Sequence, residues 1–498
     1  MKFCMKVFLP VQCVLFCLLI LGQVVFAQNT ISSQTQETRR QMFLSLNEAI
    51  NLVLQNNLEI SIEQYNPEIK KEEIKNAESA FDSTISSGGT QILKETESES
   101  AATGTTGIEA GIGKKFRSGG SYELALKSSR STFDSIDDIY STGVELTLSH
   151  ALLKNRGTDV NTSAIRIAQK NRESSVSGLR SKVIEIVSDL KNTYWNLVYA
   201  LGDLEAKRLS LQLAYDLVKI NEAQVNVGTL APIEVLQAKA SAASREVEII
   251  NAEKTVRDVE DSLKRLLNIP ETDPIWSSAI IPTDSPVSTR QSISLQQSIQ
   301  AAIENREELF QLKKALEIQE ISLNAADNQL KPALNAFSTF NLSGQDDALG
   351  GSFSEFSEFN EASVTIGLQF EYPLGNRAAK SSYNKAKLGI DQTRLSIQNL
   401  EQAISVQVRQ AVRGVETSYK LVEATRVAQQ LAEEQLDAEQ KKFNEGLSTN
   451  FQVLNYQEQL ASAQSSYTKA ITGYNQALVA LEQLTGITLQ RHNIVIKE

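Results

Sequence analysis

From Asn161 to Val227 the chain contains no proline, and its apolar residues fall on one line. Val183, Val187, Leu190, Tyr194, Leu197, Leu201, Leu204, Arg208, Leu211, Tyr215, Val218, Glu222 and Val225 follow one another in alternating steps of four and three, and eleven of these thirteen are apolar. That spacing makes a stripe down one side of a very long helix, closer to a coiled-coil seam than to the broad face of a globular helix. At about 1.5 Å per residue, sixty-odd helical residues reach roughly 100 Å. A helix of that length cannot wrap a compact core. It must lie along others of its kind, in a rod or a tube.

The stretch occurs twice. Adding 218 to Leu190, Tyr194, Leu197, Leu201 and Leu204 gives Val408, Val412, Val415, Tyr419 and Val422, and Arg208 lands on Arg426. Gly228 then meets Gly446, Val235-Leu236 meets Val453-Leu454, and Ile269 meets Ile487. Upstream the offset is 249, pairing SLNEAINLVLQNN from Ser45 with SLQQSIQAAIENR from Ser294. The chain is a tandem duplication in which each copy is a short helix, a middle segment, a long helix, a turn and a second helix. The first middle segment is 31 residues longer than the second.

Lys2 and Lys6 precede an apolar run from Val7 to Phe26, and Val25-Phe26-Ala27 suits cleavage after Ala27, so residues 1–27 are expected to be a secretory signal. Cys4, Cys13 and Cys17 all lie in it, and Phe16 is too bulky for a lipoprotein cleavage site before Cys17. The expected mature chain therefore has no disulfide, thiol or lipid anchor. Losing the two lysines takes the formal charge from −11 to −13, which argues against nucleic acid. His150 and His492 are the sole histidines, and Met42 is the one methionine beyond the signal, so a histidine or methionine metal relay is excluded by inventory. No metal constellation, nucleophile motif or glycine-rich phosphate loop occurs, so neither an enzyme nor a cofactor is expected.

Gln28 to Arg40 is polar and expected to be loose, and Leu44 to Ala80 reads as a helix that Pro67 kinks or splits. From Phe81 to Leu153 the period changes to two. Ile108, Ala110 and Ile112, then Tyr122, Leu124 and Leu126, then Val144, Leu146 and Leu148 alternate with polar or small residues. Gly-, Ser- and Asp-rich turns lie between them, at RSGGS from Arg117 and STFDSIDDIYS from Ser131. In the second copy Leu334–Leu342 and Ala362–Tyr372 are the strands, with a Gly-, Ser- and acid-rich loop from Ser343 to Glu361 between them. The domain plan is thus a signal over 1–27, a first repeat over 28–268 with strands at about 82–153, a proline-rich linker over 269–292, and a second repeat over 293–498 with strands at about 333–373.

Strands with one apolar and one polar side fit either a soluble sheet covering a core or an outer-membrane barrel with a polar lumen. The helices favour the barrel, because they offer no broad apolar face for a sheet to cover. Two hairpins give four strands, and an extra hairpin in the longer segment, turning at Lys114–Gly120, would give six. About eight strands is the minimum for a lipid-spanning barrel, and open edges are not tolerated in hydrocarbon. Several protomers must then share one barrel.

Here the residues carry a likeness. The two copies, in this order, resemble the TolC-like outer-membrane efflux channels over nearly the whole mature chain. EYPLGNR from Glu371 resembles the family's strand exit into the long helix; VGTLAPIEVLQA (Val227–Ala238) and FNEGLSTNFQVLNYQ (Phe443–Gln457) resemble its two periplasmic tips; LEQLTGI from Leu481 resembles its closing helix. The resemblance implies a mainly α fold with β, internally duplicated. Long antiparallel helices form an α-helical tunnel, and β-hairpins contribute to a trimeric transmembrane β-barrel of twelve strands. It also implies an exit duct for tripartite efflux or type I secretion, embedded in outer-membrane lipid and reaching into the periplasm. A periplasmic adaptor and an inner-membrane pump would be its partners. Gly228, Thr229, Leu230, Ala231, Gly446, Leu447 and Ser448 would form the docking tips.

In the family, acids just after the second tip line the constriction. The matching positions are Gln452 and Asn455, both amides, while Glu234 in the first copy keeps its charge. The expected aperture is Glu234, Gln452 and Asn455, without a ring of aspartates, and Glu234 and Gln452 are candidates to bond across helices. The first copy's exit, SHALLKNRG from Ser149, places His150 and Ala151 where the family often has Gln and Pro. The longer first segment allows eighteen strands per trimer if its extra hairpin enters lipid. It is instead expected to be an ornament outside the wall, because the shared helical tube should fix the barrel's girth. The rival reading is a secreted coiled-coil structural or adhesive protein, which would not need two alternating-strand hairpins in matching places.

Overall fold

The computed structural model describes residues 40–94, 104–133, 137–359 and 361–496, and residues 41–498 form one unit. The signal expected over 1–27 and the polar segment after it, to residue 39, lie outside the described residues. The first copy opens on β1 (Gln41–Leu44), α1 (Leu46–Asn56) and α2 (Leu58–Glu78). Four strands follow: β2 (Thr84–Leu93), β3 (Gly104–Lys115), β4 (Gly120–Thr132) and β5 (Ile139–Ala151). A single turn, α3 (Thr158–Asn161), leads into α4 (Ser163–Asn226), and α5 (Pro232–Leu266) runs back. The linker contains β6 (Ala279–Pro282). The second copy holds α6 (Leu295–Asn305), α7 (Glu307–Gln329), β7 (Ala333–Asp346), α8 (Leu349–Ser357), β8 (Glu361–Glu371), α9 (Arg377–Asn444), α10 (Asn450–Thr485) and α11 (Thr488–Arg491).

The first helix divides at Asn57, and not at Pro67. The Asn57 side chain accepts from the Glu59 and Ile60 amides at 2.9 and 3.1 Å, capping α2 while its own amide closes α1 on Val53. Pro67 sits buried inside α2. A strong cap stops a helix more decisively than one missing amide whose neighbours are packed. Ser45 caps α1 through a reciprocal box with Glu48, and Ser294 caps α6 at the equivalent place.

The stripe on α4 is buried along its first half, through Val183, Val187, Leu190, Tyr194, Leu197 and Leu204. Further down the buried line shifts to Ser210, Ala214, Leu217 and Asn221. Each of these precedes a stripe position by one residue, on the side where Leu217 and Asn221 meet the second copy, while Val218 of the stripe stays buried beside them. The stripe's Arg208, Tyr215 and Glu222 face α5 instead. They bond to Glu253 at 2.9 Å, to Glu246, and to Lys239 at 2.8 Å, a polar ladder between the two helices. In α9 the matching Val408, Val412, Val415 and Val422 are buried with Ile471 and Tyr474 of α10. The copies join where Tyr194 and Trp195 meet Val479, and where Leu217 meets Leu436, Phe443 and Val453.

The linker is ordered by a short parallel ladder, β1 with β6, which sequence periodicity does not disclose. Lys264 of α5 holds the linker from below, donating to the Trp276 and Ser278 carbonyls at 2.8 and 3.0 Å.

All six long strands form one sheet in the order β2-β3-β4-β5-β7-β8, each pair antiparallel. This corrects the expectation that the first copy's extra hairpin lies outside the wall: β3 and β4, which flank the predicted Lys114–Gly120 turn, are hydrogen-bonded with β2 into the same sheet as the other three. The turn between β3 and β4 falls at Phe116–Gly119, within the predicted stretch, and Gly119 adopts φ +97° there. A Cβ on Gly119 would run into the Asn155 carbonyl oxygen, whereas one on Gly157, also at positive φ, would meet open space. Gly119→Ala is therefore expected to destabilise the protein more than Gly157→Ala, whose cost is the backbone strain alone, about 1–3 kcal/mol. Thermal unfolding of the two purified variants checks the order.

Candidate functional site

The sheet separates chemistry by face. Ile85, Ile112, Leu124, Leu146, Phe340 and Val364 stand in direct register across all six strands, on one side. The next row on that side includes Ala110, Leu126, Val144, Leu342 and Ala362. Ile85, Val364, Ile366, Leu368 and Phe370 are exposed, Ile85 at 85% and Ile366 at 80%. The opposite side carries Glu109, Glu123, Lys127, Glu145, Thr147, Thr339, Asn341 and Thr365. Lys127 and Glu145 pair there at 2.8 Å. An apolar surface of this extent is not left to water in a soluble monomer. No described helix is long and apolar enough to cross a membrane.

At the other end of the long helices are the two predicted tips. Gly228 (φ +79°) and Gly446 (φ +73°) follow α4 and α9, and a Cβ on either would meet nothing within 4 Å. In both, the next residue's amide reaches back to close the helix, from Thr229 to the Gln224 carbonyl at 2.9 Å and from Leu447 to the Lys442 carbonyl at 2.8 Å. This is the same left-handed closure twice. Ala231 precedes Pro232 at the first position of α5, and Ser448 donates to Glu439. Leu230 is half-buried, while Val227, Ile233, Leu236, Leu447 and Phe451 leave apolar side chains exposed around the turns.

The aperture candidates separate. Gln452 is exposed, and Glu234 and Asn455 are half-buried. Among the described residues no hydrogen bond joins the Glu234 and Gln452 side chains. The tips are tied instead by residues the sequence did not single out. Asn221 of α4 donates to the Asn450 side-chain oxygen at 2.8 Å, and both amides also reach the Glu234 carbonyl, at 3.4 and 3.3 Å. Above them Arg245 of α5 donates to the Ser210 carbonyl at 2.7 Å, the Gln457 side-chain oxygen at 3.0 Å and the Leu454 carbonyl at 3.4 Å. Gln457 in turn donates to the Leu213 carbonyl at 3.1 Å. Burial pushes the Arg245 guanidinium down, with Glu458 and Glu248 opposing it. The network joins α4, α5 and α10, and so joins the two copies.

A second buried cluster lies near the chain's end. Lys191 of α4 meets Glu482 of α10 at 2.8 and 2.9 Å, and His492 Nε2 stands 3.2 Å from both. His492 thus has a structural place, whereas His150 sits on β5 opposite Gly120. Among the described residues no group of three or more His, Cys, Asp or Glu is placed to hold a metal.

Solved structures share this fold. The outer membrane protein VceC of Vibrio cholerae superposes with a TM-score of 0.67 at 17% identity, over 89% of this chain and 96% of that one. The CmeC outer membrane channel of Campylobacter jejuni gives 0.65 at 16% identity, over 89% and 85%. The open state of the MtrE outer membrane channel of Neisseria gonorrhoeae gives 0.59 at 15%, over 89% and 88%. No curated protein matches the chain in sequence. The profile described as outer membrane efflux protein matches residues 121–268 and 298–487, taking in both long helix pairs and the strands from β4 onward. With both repeats matched over most of its length, the chain belongs to the outer membrane efflux protein family, whose members are transport channels and not enzymes.

Proposed function

We propose that this protein is the outer-membrane exit duct of a tripartite efflux or type I secretion system. Three copies share one barrel in lipid, and their long helices line a tunnel through the periplasm. Residues 1–27 direct secretion and are removed, leaving two repeats joined by the 269–292 linker. The observation that carries the reading is the six-strand sheet, with its exposed apolar face and two open edges, set on helix pairs too long for a single core. The action is physical. A solute moves through a polar-lined conduit, and flow is set at the helical tips.

Adaptor docking is assigned to the glycine turns, Gly228–Ala231 and Gly446–Ser448, whose surrounding exposed apolar residues give a partner something to cover. An inner-membrane pump supplies the cargo. Glu234, Gln452 and Asn455 narrow the passage just above, through polar but mostly uncharged side chains, so strong cation selection is not expected there. Opening moves the tip helices apart. The open state recorded for MtrE agrees with a duct of more than one state.

The test pairs assembly with transport. Detergent-extracted protein should run as heat-resistant trimers and conduct in planar bilayers. Gly228→Val and Gly446→Val should each leave trimers intact while export falls at least tenfold, because a β-branched residue resists positive φ and remakes the turn. Unchanged export would remove the docking role from these turns. Water-soluble monomers without conductance would favour a secreted coiled-coil protein instead.

A further inference from the structure

Neither edge of the sheet is guarded along its length against pairing. Strand β2 reads TISSGGTQIL, with no proline and no charge, and is exposed from end to end. Strand β8 reads EASVTIGLQFE, charged only at its two ends. Both run straight along their inner neighbours without a bulge. Natural edge strands that stay free are short, charged, proline-bearing or bulged. In hydrocarbon each open edge would strand a column of N–H and C=O groups with no partner, which a bilayer does not tolerate.

Three further observations say what covers them. The strands alternate in direction, and because their number is even, β2 and β8 run opposite ways. A β8 edge therefore meets the β2 edge of a rotated second copy as an antiparallel pair. The row from Ile85 to Val364 reaches both edges, so β2 and β3 present the same apolar side as the other strands. Finally, the β3–β4 turn is seated on the helices. The Arg117 guanidinium lies 3.6 Å from Glu78 and 5.8 Å from the Phe81 ring, and the Gly157 amide donates to the Ser118 carbonyl at 3.0 Å. The hairpin is held at the base of the wall.

Resting on the trimeric duct proposed above, we infer that three copies close a single eighteen-stranded barrel, in which β2 of each copy pairs with β8 of the next. The twelve strands implied by the family likeness take four from each copy, two fewer than this sheet holds, and β2 and β3 precede the first residue matched by the family profile, 121. Barrel diameter grows about linearly with strand number, so the wall is about 1.5-fold wider than a twelve-stranded one.

Cysteine cross-linking tests the joint, on a background whose native cysteines all lie within the first seventeen residues. Thr84→Cys, Ser86→Cys and Thr90→Cys on β2 are each combined with Ser363→Cys, Thr365→Cys or Gln369→Cys on β8, all on the polar face. Oxidation in isolated outer membranes should yield covalent trimers for one register of these pairs. Ser121→Cys or Glu123→Cys on β4, combined with the same β8 positions, should yield none. Covalent trimers through β4 and β8, with β2 silent, would overturn the inference in favour of twelve strands and an outlying hairpin. Heat-resistant trimers lacking either cross-link would also overturn it, while leaving the trimeric duct standing. Absence of trimers altogether would remove the duct reading itself.

Discussion

Replacing Glu482 by glutamine is expected to cost the fold about 3–5 kcal/mol, the range for breaking a buried ion pair from one side. The Lys191 and Glu482 side chains are 7% and 4% exposed, so removing the carboxylate leaves an ammonium with little water and no counter-charge. Burial already pushes the Lys191 ammonium down, and losing Glu482 removes what opposes it. Burial also acts to raise Glu482, but the hydrogen bond from His492 and the charge and bond of Lys191 outweigh it, holding the carboxyl below its ordinary 4.5. A depressed carboxylate contributes stability that is present above the ordinary value and lost as pH falls through the folded one. The gap between the native protein and Glu482→Gln should therefore close in acid. The joint replacement Lys191→Met with Glu482→Leu should recover most of the loss, since a well-packed apolar pair often matches a buried ionic one. Denaturant unfolding of detergent-extracted protein, from neutral pH to below 4, decides the matter. A single variant no less stable than the native chain would show that the pair adds nothing.

The second large effect is expected at the tips. Arg245→Ala should lose about 2–4 kcal/mol, because the Ser210 carbonyl and the Gln457 side-chain oxygen are left buried without the donor they had. The damage should be local. Arg245 ties α5 to α4 and α10, so limited proteolysis should quicken around residues 205–250 and 440–465 while the upper helices and the sheet stay protected. Arg245→Lys should rescue little, since one ammonium does not span three acceptors laid out for a planar fork. Uniform loss of protection along the helices would instead mean that Arg245 supports the whole rod.

Much of the fold is legible in the residues. Valine, leucine and tyrosine in steps of three and four announce α4 and α9, and the strict alternation from Val364 to Phe370 announces β8. The tip turns follow from Gly228 and Gly446. What stays hidden has physical causes. The middle of strand β2, Ser86 to Thr90, is built of Ser, Gly and Thr, whose small side chains give no period-two contrast. Strands β1 and β6 are four residues each and exist only as a pair. Helix α8 lies in a stretch whose glycines and serines read as loop, yet it is held against the sheet by the buried contact of Ser352 with Thr142 at 3.0 Å. The tip network is harder still. Asn221, Asn450, Arg245 and Gln457 are polar residues on polar-looking helices, and only the meeting of partners some 200 residues apart makes them interior.

The turn at Phe116–Gly119 bears on the girth of the wall. Among the described residues, four points of the sheet continue into helices that carry the rods: the start of β2 from α2, the end of β5 toward α4, the start of β7 from α7, and the end of β8 into α9. Strands β3 and β4 meet through four residues and need no helix beneath them. If three such sheets close one barrel as proposed, adding or removing a ribbon at this seam would change its girth in discrete increments without rewiring any rod.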